Sequence, residues 1–208
     1  MRIAPGAASD TGRVNFLIAR AAGLGLGTAT PNIFTTLGRH RRLFRRWLWF
    51  AGALMPGGRL PRADTELMIL RTAHNCASDY EWRAHESLAR NAGLTADQVR
   101  QVRAGPDAPG LSGRQRLLVR ATDELHADRV LTDETWTELC GQLSDAELIE
   151  LCMLVGHYEM LAMTLNSLGV QPDPPPPGRL PPTARLLQRL AGRGRTAHRR
   201  RAQPRSAR

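Results

Sequence analysis

Apolar side chains recur at intervals of three and four residues along most of the first 170 positions, which is the spacing of amphipathic α-helices. In residues 41–54, Leu43, Phe44, Trp47 and Leu48 share one face, and four arginines occupy the opposite face. The same spacing predicts helices over residues 63–75, 79–92, 113–127, 133–140 and 145–168. Strand-like alternation is nearly absent, so the pattern predicts an all-α fold.

Signals for helix ends fall between these segments. Four pairs of residues have the spacing of a capping box, in which a hydroxyl and a Glu or Gln side chain satisfy the free amides of a first turn. They are Ser78 with Glu81, Thr95 with Gln98, Ser112 with Gln115, and Ser144 with Glu147. Gly93 and Gly169 stand where helices are expected to end. These signals divide the body into separate helices of ordinary length.

The two ends of the chain differ in composition from this body. Residues 1–30 are rich in Gly, Ala and Thr, and we expect a poorly ordered segment with one short helix near 14–22. Residues 171–182 contain seven prolines, which exclude a helix there. Beyond a short helical stretch over 183–190, the sequence has too little apolar surface to pack. We therefore expect one domain over 31–170, followed by a Pro-rich linker and an Arg-rich, disordered tail over 171–208.

The positive charge is concentrated in that tail. All 29 basic residues are arginines and the formal net charge is +10. Ten of the arginines follow residue 170, where Asp173 is the one acid. Such a tail can bind the phosphate backbone of a nucleic acid with little sequence preference, or it can be a solvated end that binds nothing. The nearly neutral body gives no comparable sign of nucleic-acid binding.

The lengths of the apolar runs and the number of cysteines argue against several classes of protein. The longest unbroken apolar run covers nine residues, 47–55, which is less than half of a membrane span. No continuous apolar stretch follows Arg2, so we expect no secretory signal. Cys76, Cys140 and Cys152 are odd in number and form neither a CxxC pair nor a zinc-binding pattern, so we expect no disulfide framework. We expect a cytoplasmic protein without a membrane contact, a cofactor or a metal.

The residues that can carry chemistry lie in positions 64–93. Glu81 and His85 are four residues apart, so they share one face of a helix, and Glu66 lies early in the preceding helix. Because the eighteen residues between Glu66 and His85 leave room for a helix, a short turn and a return, we expect these two side chains to meet across antiparallel helices, with Glu81 in the same pocket. A carboxylate beside an imidazole orients the ring and makes a plausible acid–base pair. A purely structural interpretation competes with this one, because Ser78 and Glu81 fit a capping box and Glu66 fits a first-turn charge. The spacing alone leaves both open.

The sequence ELMILRTAHNCASDYEWRAHESLARNAGLTADQV resembles the carboxymuconolactone decarboxylase family, which shares its fold with alkyl hydroperoxidase D. The segment WTELCGQLSDAELIELCMLVGHYEMLAMTLNSLGV resembles the closing helices of that family, so the resemblance covers residues 31–170. It implies an alkyl hydroperoxidase D-like bundle of about six to eight helices. It also implies a homo-oligomer, a trimer or hexamer, formed through helical faces.

The redox branch of the family carries a Glu, two cysteines and a His at fixed spacing. That frame falls on Glu66, Ser78, Glu81 and His85 without a gap, so both cysteine positions hold other residues. Only a thiolate can attack a peroxide and then resolve as a disulfide. The chain therefore resembles a family member that lacks the CxxC redox pair. A thiol peroxidase that uses Cys76, with Cys140 or Cys152 as a distant partner, stays open, although buried helical cysteines are the simpler interpretation.

The non-redox side of the family decarboxylates a carboxylated muconolactone to an enol-lactone. By this resemblance, Glu66, His85 and Glu81 are the candidate catalytic residues, since such a reaction needs a proton donor for the developing enolate. The expected partner is a small molecule with a carboxylate or lactone group. The candidate substrate-binding residues are Ser78, Tyr80, Trp82, Arg71 and His74, with Arg83 as a second arginine for a carboxylate.

One more pair of residues and one alternative function complete the predictions from the sequence. His157 and Tyr158 correspond to a position where the family has bulky residues, so we expect them in the core or lining a pocket. The whole chain could instead be a non-catalytic helical protein whose basic tail binds phosphate groups.

Overall fold

The structure is a computed structural model that describes residues 1–26, 28 and 30–174. Within these residues it contains no strand, ten α-helices and one short 3₁₀ turn at Val102–Ala104. The helices are α1 Ala8–Thr11, α2 Arg13–Leu26, α3 Asn32–Leu37, α4 Arg41–Leu54, α5 Arg62–Asn75, α6 Asp79–Asn91, α7 Ala96–Gln101, α8 Gly113–Asp128, α9 Asp133–Cys140 and α10 Asp145–Leu168. The all-α prediction is confirmed, and the helix count exceeds the expected six to eight because α1, α3 and α7 are very short.

Helix α5 is the centre of the bundle. Four consecutive side chains in it, Leu67, Met68, Ile69 and Leu70, are fully buried, which requires protein on every side of the helix. Its neighbours are α6, α8 and α10. Because α5 is enclosed, any polar side chain that it carries inward must find its partner within the protein.

Helix α10 is the second core helix. By length and composition it could cross a membrane, but half of its apolar stretch is buried inside the bundle. Its other face carries the exposed side chains Ile149, Met153, Met160 and Met163. Such a face is compatible with the expected homo-oligomer, which stays a prediction.

Three of the four capping boxes form as the spacing predicted. The hydroxyl of Thr95 accepts from the Gln98 amide at 3.1 Å, and that of Ser112 accepts from the Gln115 amide at 3.3 Å. At the start of α10, the Ser144 amide donates to Glu147 at 2.9 Å. Gly169 ends α10 in the left-handed conformation, with φ 66°, a conformation that costs glycine little.

The box predicted at Ser78 does not form, and this prediction was wrong. Ser78 does precede α6, but its ψ is 92°, whereas Ser112 and Thr95 have ψ values of 163° and 158°. The preceding residue, Ala77, is left-handed with φ 49°, and the Ser78 amide donates to the Ala73 carbonyl at 2.8 Å. The Ser78 hydroxyl is thus turned away from the first-turn amides, and Glu81 has no Ser78 amide left to accept from.

The N-terminal segment is more regular than we expected. Residues 1–26 contain α1 and α2, which dock on the domain: the Arg2 amide donates to the Leu168 carbonyl at 2.8 Å, and the Gly6 amide donates to the Thr35 carbonyl at 3.1 Å. Backbone hydrogen bonds to the domain therefore hold this segment in place, although its Gly- and Ala-rich sequence offers few apolar side chains for packing. The predictions for the remaining prolines, the 183–190 helix and the Arg-rich tail fall outside the described residues.

Candidate active site

Glu66 and His85 meet across the α5–α6 hairpin. Nδ1 of His85 lies 2.8 Å from Oε2 of Glu66, and both side chains are buried. Only three residues, 76–78, separate the two helices, so α6 returns antiparallel to α5. The juxtaposition expected from the sequence is therefore present.

The second oxygen of Glu66 pairs with an arginine that sequence reasoning missed. Nη2 of Arg62 lies 2.5 Å from Oε1 of Glu66, one turn earlier on α5. The four-residue spacing was the available signal. Because the guanidinium balances the charge of Glu66, the carboxylate can accept the Nδ1–H of His85. That tautomer leaves Nε2 as the ring nitrogen for a molecule in front of it.

Glu81 is a buried carboxyl of a different kind. Loss of hydration raises its pKa to about 8, and the nearby Ser78 hydroxyl opposes this rise without reaching hydrogen-bond geometry. Neither of its carboxylate oxygens has a hydrogen-bond partner in the described part of the protein. Glu81 is therefore mostly protonated at pH 7, and it can donate a hydrogen bond or a proton.

A cavity of about 410 Å³ opens in front of these groups. His85 and Glu81 line it from α6, and Phe34 and Trp47 line it from α3 and α4. Leu161 of α10 adds to an otherwise largely apolar wall. Glu66 does not line the cavity but lies behind His85, so it acts on the contents through that ring.

The far wall of the cavity is formed by His157 and Tyr158, as expected of pocket-lining residues. Burial, together with the neighbouring His85, lowers the pKa of His157 to about 4, so this ring is neutral at pH 7. Its Nδ1 has no hydrogen-bond partner among the described residues. The Tyr158 ring packs edge-on against His85, with 5.2 Å between ring centroids, and thereby restricts the rotation of the imidazole.

Tyr80 also lies in the cavity, as predicted, and it connects the site to the start of the linker. Its hydroxyl donates to Oδ2 of Asp173 at 2.8 Å and accepts from the Ile33 amide at 3.2 Å. Asp173 lines the cavity as well, and burial raises its pKa. The segment just after α10 thus closes one side of the site, a role that its Pro-rich sequence did not indicate.

Three of the predicted substrate-binding residues lie elsewhere. Ser78, His74 and Trp82 line a separate hollow of about 180 Å³ together with Arg103, whose guanidinium lies 3.9 Å from the Trp82 ring centroid. The reason is helical geometry: Trp82 follows Glu81 directly, so the two side chains point about 100° apart. The prediction that these residues line the cavity was therefore wrong.

The two candidate arginines also separate. Arg71 was expected at the substrate, but it binds Asp123 through Nε at 2.6 Å and Nη2 at 2.9 Å, and donates to the Val102 carbonyl at 2.9 Å. These hydrogen bonds hold α5 to α8 and to the 3₁₀ turn at Val102–Ala104. Arg83 does reach the cavity mouth, where it forms an exposed ion pair with Asp79 at 3.0 Å.

The cysteines are not part of this site. Cys76 ends α5, is half-buried and is not among the described lining residues. Burial and the charges of Glu159 and Glu81 raise the pKa of its thiol to about 11. Cys140 and Cys152 are exposed, so the expectation that the helical cysteines are buried was wrong for these two.

Comparison with known proteins finds a similar family for part of the chain. Residues 41–124, which contain Glu66, Glu81 and His85, match the sequence model of the carboxymuconolactone decarboxylase family. No curated protein sequence matches the chain.

Solved structures with the same fold are similar over most of the chain. One is an alkylhydroperoxidase AhpD core protein from Ralstonia eutropha JMP134, described as an uncharacterized peroxidase-related protein. It is 17% identical to this chain, and the two structures superpose with a TM-score of 0.72. The match covers 83% of this chain and 94% of the Ralstonia chain. An uncharacterized peroxidase-related protein from Silicibacter sp. TM1040 is 15% identical with a TM-score of 0.69, covering 81% and 88%.

The debrominase Bmp8 in complex with 2,3,4-tribromopyrrole is 14% identical with a TM-score of 0.70, covering 92% of this chain and 97% of its own. At these identities the likeness establishes the fold. The chain thus has an AhpD-like fold, its segment 41–124 is similar to the carboxymuconolactone decarboxylase family, and it lacks the CxxC redox pair.

Proposed function

We propose that the protein is an acid–base enzyme of the decarboxylase type, acting on a small, largely apolar molecule that carries a carboxylate or lactone group. The observation that carries this proposal is the imidazole of His85, held 2.8 Å from Glu66 and facing a cavity of about 410 Å³. A cavity of that size admits a small cyclic molecule.

The charges at the site suit this reaction. Glu66 is balanced by Arg62, His157 is neutral, and Glu81 keeps its proton at pH 7. A substrate carboxylate beside these groups therefore meets no unbalanced negative charge, and the carboxyl of Asp173, which also lines the cavity, accepts hydrogen bonds from Tyr80 and from the Asn32 amide. Arg83 at the mouth is the arginine among the described lining residues, and it can attract the carboxylate from solvent.

The proposed step breaks the bond between the substrate carbon and its carboxylate. The electron pair passes into the conjugated carbonyl group as an enolate, and CO₂ leaves. Loss of hydration beside Trp47, Phe34 and Leu161 favours this step, because the localised charge of a carboxylate is stabilised by water more than the delocalised charge that replaces it.

The enolate carbon is then protonated by the pair formed by Glu81 and His85. These side chains share one face of α6, and the proton that moves is the one that Glu81 carries as a neutral acid at pH 7, since the Nδ1 proton of His85 is donated to Glu66. After transfer, solvent returns a proton to Glu81. Glu66 keeps the ring of His85 in one orientation throughout.

The test is turnover of a panel of carboxylated lactones in D₂O, followed by CO₂ release and by deuterium at the carbon that lost it. His85→Gln should lower kcat by roughly 10²–10⁴-fold, as for other acid–base groups. His74→Gln is the matched control, because His74 lies on the adjacent helix and outside the cavity. Equal losses in both variants would contradict the assignment of His85.

The same panel tests the thiol-peroxidase alternative. Ser78 and Glu81 occupy the two positions where redox members carry cysteines, and no second cysteine lies beside Cys76 in the described residues. Hydrogen peroxide should therefore not be reduced catalytically. Peroxide consumption that disappears in Cys76→Ser, together with no turnover of the lactones, would replace the decarboxylase proposal.

A further inference from the structure

A second group of reactive side chains lies outside the cavity, at the turn that joins α5 to α6. Cys76 comes from the end of α5, His126 from the last turn of α8, and Glu159 from the middle of α10. One ligand atom from each residue lies within 4.8 Å of the other two. All three side chains are partly buried, and His126 is 34% exposed, so an ion can reach them from solvent.

The geometry of the three groups is that of a ligand set rather than of a catalytic relay. Nδ1 of His126 lies 3.9 Å from Sγ of Cys76 and 2.6 Å from Oε1 of Glu159. In a nucleophile–base–acid relay, the imidazole uses one ring nitrogen for the nucleophile and the other for the acid. Here one nitrogen faces both partners, so sulfur, nitrogen and oxygen converge on one point.

The surroundings hold two of these ligands in place. Nη1 of Arg129 contacts both carboxylate oxygens of Glu159, Oε2 at 2.8 Å and Oε1 at 3.0 Å, and Oε1 also faces His126 at 2.6 Å. The Asn166 side-chain amide donates to the Cys76 carbonyl at 2.9 Å. Ligands of metal ions in proteins are commonly fixed by such outer hydrogen bonds.

We propose that Cys76, His126 and Glu159 bind one Zn²⁺ ion per chain, with the fourth coordination position left to water. Thiolate, imidazole and carboxylate are the three ligand types that zinc takes in proteins. On binding, the Cys76 thiol releases its proton to solvent, and the hydrogen bond between His126 and Glu159 gives way to bonds with the ion.

The ion would connect α8 and α10 to the α5–α6 turn. That turn contains the left-handed Ala77 and carries the two helices of the Glu66–His85 pair. Zinc should therefore stabilise the hairpin without taking part in the acid–base chemistry. The proposal depends on no assumption about the substrate.

The test uses the full chain, freed of metal with a chelator and titrated with Co²⁺ as a spectroscopic substitute for Zn²⁺. We expect one ion per chain, a thiolate-to-cobalt charge-transfer band, the visible bands of tetrahedral cobalt, and loss of all of them when Zn²⁺ is added. Zn²⁺ should also raise the Tm of the metal-free protein.

Three variants make the result specific. Cys76→Ser should abolish the charge-transfer band, and Glu159→Gln should weaken affinity at least about 10-fold, the lower end of the effect of outer-shell changes. Cys152→Ser is the control, because this exposed thiol lies on α10 outside the cluster, and it should keep the band. Far-ultraviolet circular dichroism of each metal-free variant checks folding.

Two results would overturn the proposal. One is the absence of stoichiometric metal binding to the folded wild type, and the other is a charge-transfer band that is lost in Cys152→Ser but kept in Cys76→Ser.

Discussion

Glu81 lies one helical turn before His85 on α6 and faces the same cavity, but without a hydrogen-bond partner for either carboxylate oxygen in the described residues. Glu66, in contrast, forms an ion pair with Arg62 through Oε1 and a hydrogen bond with His85 through Oε2. The two acids therefore play different parts: Glu66 is held in place by its ion pair and hydrogen bond, whereas Glu81 is a neutral acid at pH 7. This difference is what allows proton transfer near neutral pH.

The pH dependence of activity should report Glu81. Since the neutral form is the proton donor, kcat/KM should fall as pH rises through about 8, where Glu81 loses its proton. A carbon-13 NMR titration of the glutamate carboxyls should show one group titrating near that pH. It should be missing in Glu81→Gln and present in Glu86→Gln, an exposed site on the same helix. A fall of kcat/KM at high pH without a carboxyl resonance that titrates near pH 8 would contradict the assignment of Glu81 as the proton donor.

The same group should affect stability with a defined sign. The folded-state pKa of Glu81 is about 8, against an ordinary value of 4.5. Between these values the folded protein holds a proton that the unfolded chain has lost, so this contribution to the free energy of unfolding decreases as pH rises from about 4.5 to about 8. In thermal unfolding, the Tm of Glu81→Gln minus that of the wild type should therefore increase between pH 4.5 and about 8. Above pH 8 this difference should stay constant. A Tm difference independent of pH would be the contrary result.

The Arg62–Glu66 pair should separate stability from activity. Glu66→Gln leaves a nearly buried guanidinium without its carboxylate, which should cost about 3–5 kcal/mol in denaturant unfolding and also lower kcat. The double variant Arg62→Met with Glu66→Leu removes both charges and should recover most of the stability. Because His85 then has no acceptor for Nδ1–H, kcat should stay low. Recovery of both quantities would show that Glu66 is only structural.

Ser78→Ala and Ser112→Ala form a matched pair for the failed capping box. The Ser112 hydroxyl accepts from the Gln115 amide, so its removal should cost about 0.5–2 kcal/mol of unfolding free energy. The Ser78 hydroxyl has no hydrogen-bond partner in the described residues, so Ser78→Ala should cost clearly less. Equal losses in urea unfolding would mean that Ser78 caps α6 in solution.

Arg71 and Arg83 should show opposite effects. Arg71→Ala breaks a two-point contact with Asp123 and should cost about 1.5–3 kcal/mol, the range for hydrogen bonds to charged groups, with KM unchanged. Arg83→Ala removes an exposed ion pair, which is worth little to stability, but it should raise KM for a carboxylated substrate. A raised KM in Arg71→Ala instead would restore Arg71 as a substrate-binding residue.

The sequence alone determined the helical architecture and the meeting of Glu66 with His85. Helix periodicity and the caps at Thr95, Ser112 and Ser144 act within a few residues, so they can be read locally. The two side chains meet because the turn between their helices is short and their positions on each helix are set by a 3.6-residue repeat.

The tertiary structure decided what surrounds that pair. The left-handed Ala77 redirected Ser78 and left Glu81 without a cap to complete, and packing of α8 on α5 took Arg71 away from the cavity. Cys76, His126 and Glu159 come together from three helices that are far apart in the chain. Such contacts depend on how helices pack, and the spacing within any one helix contains no information about them.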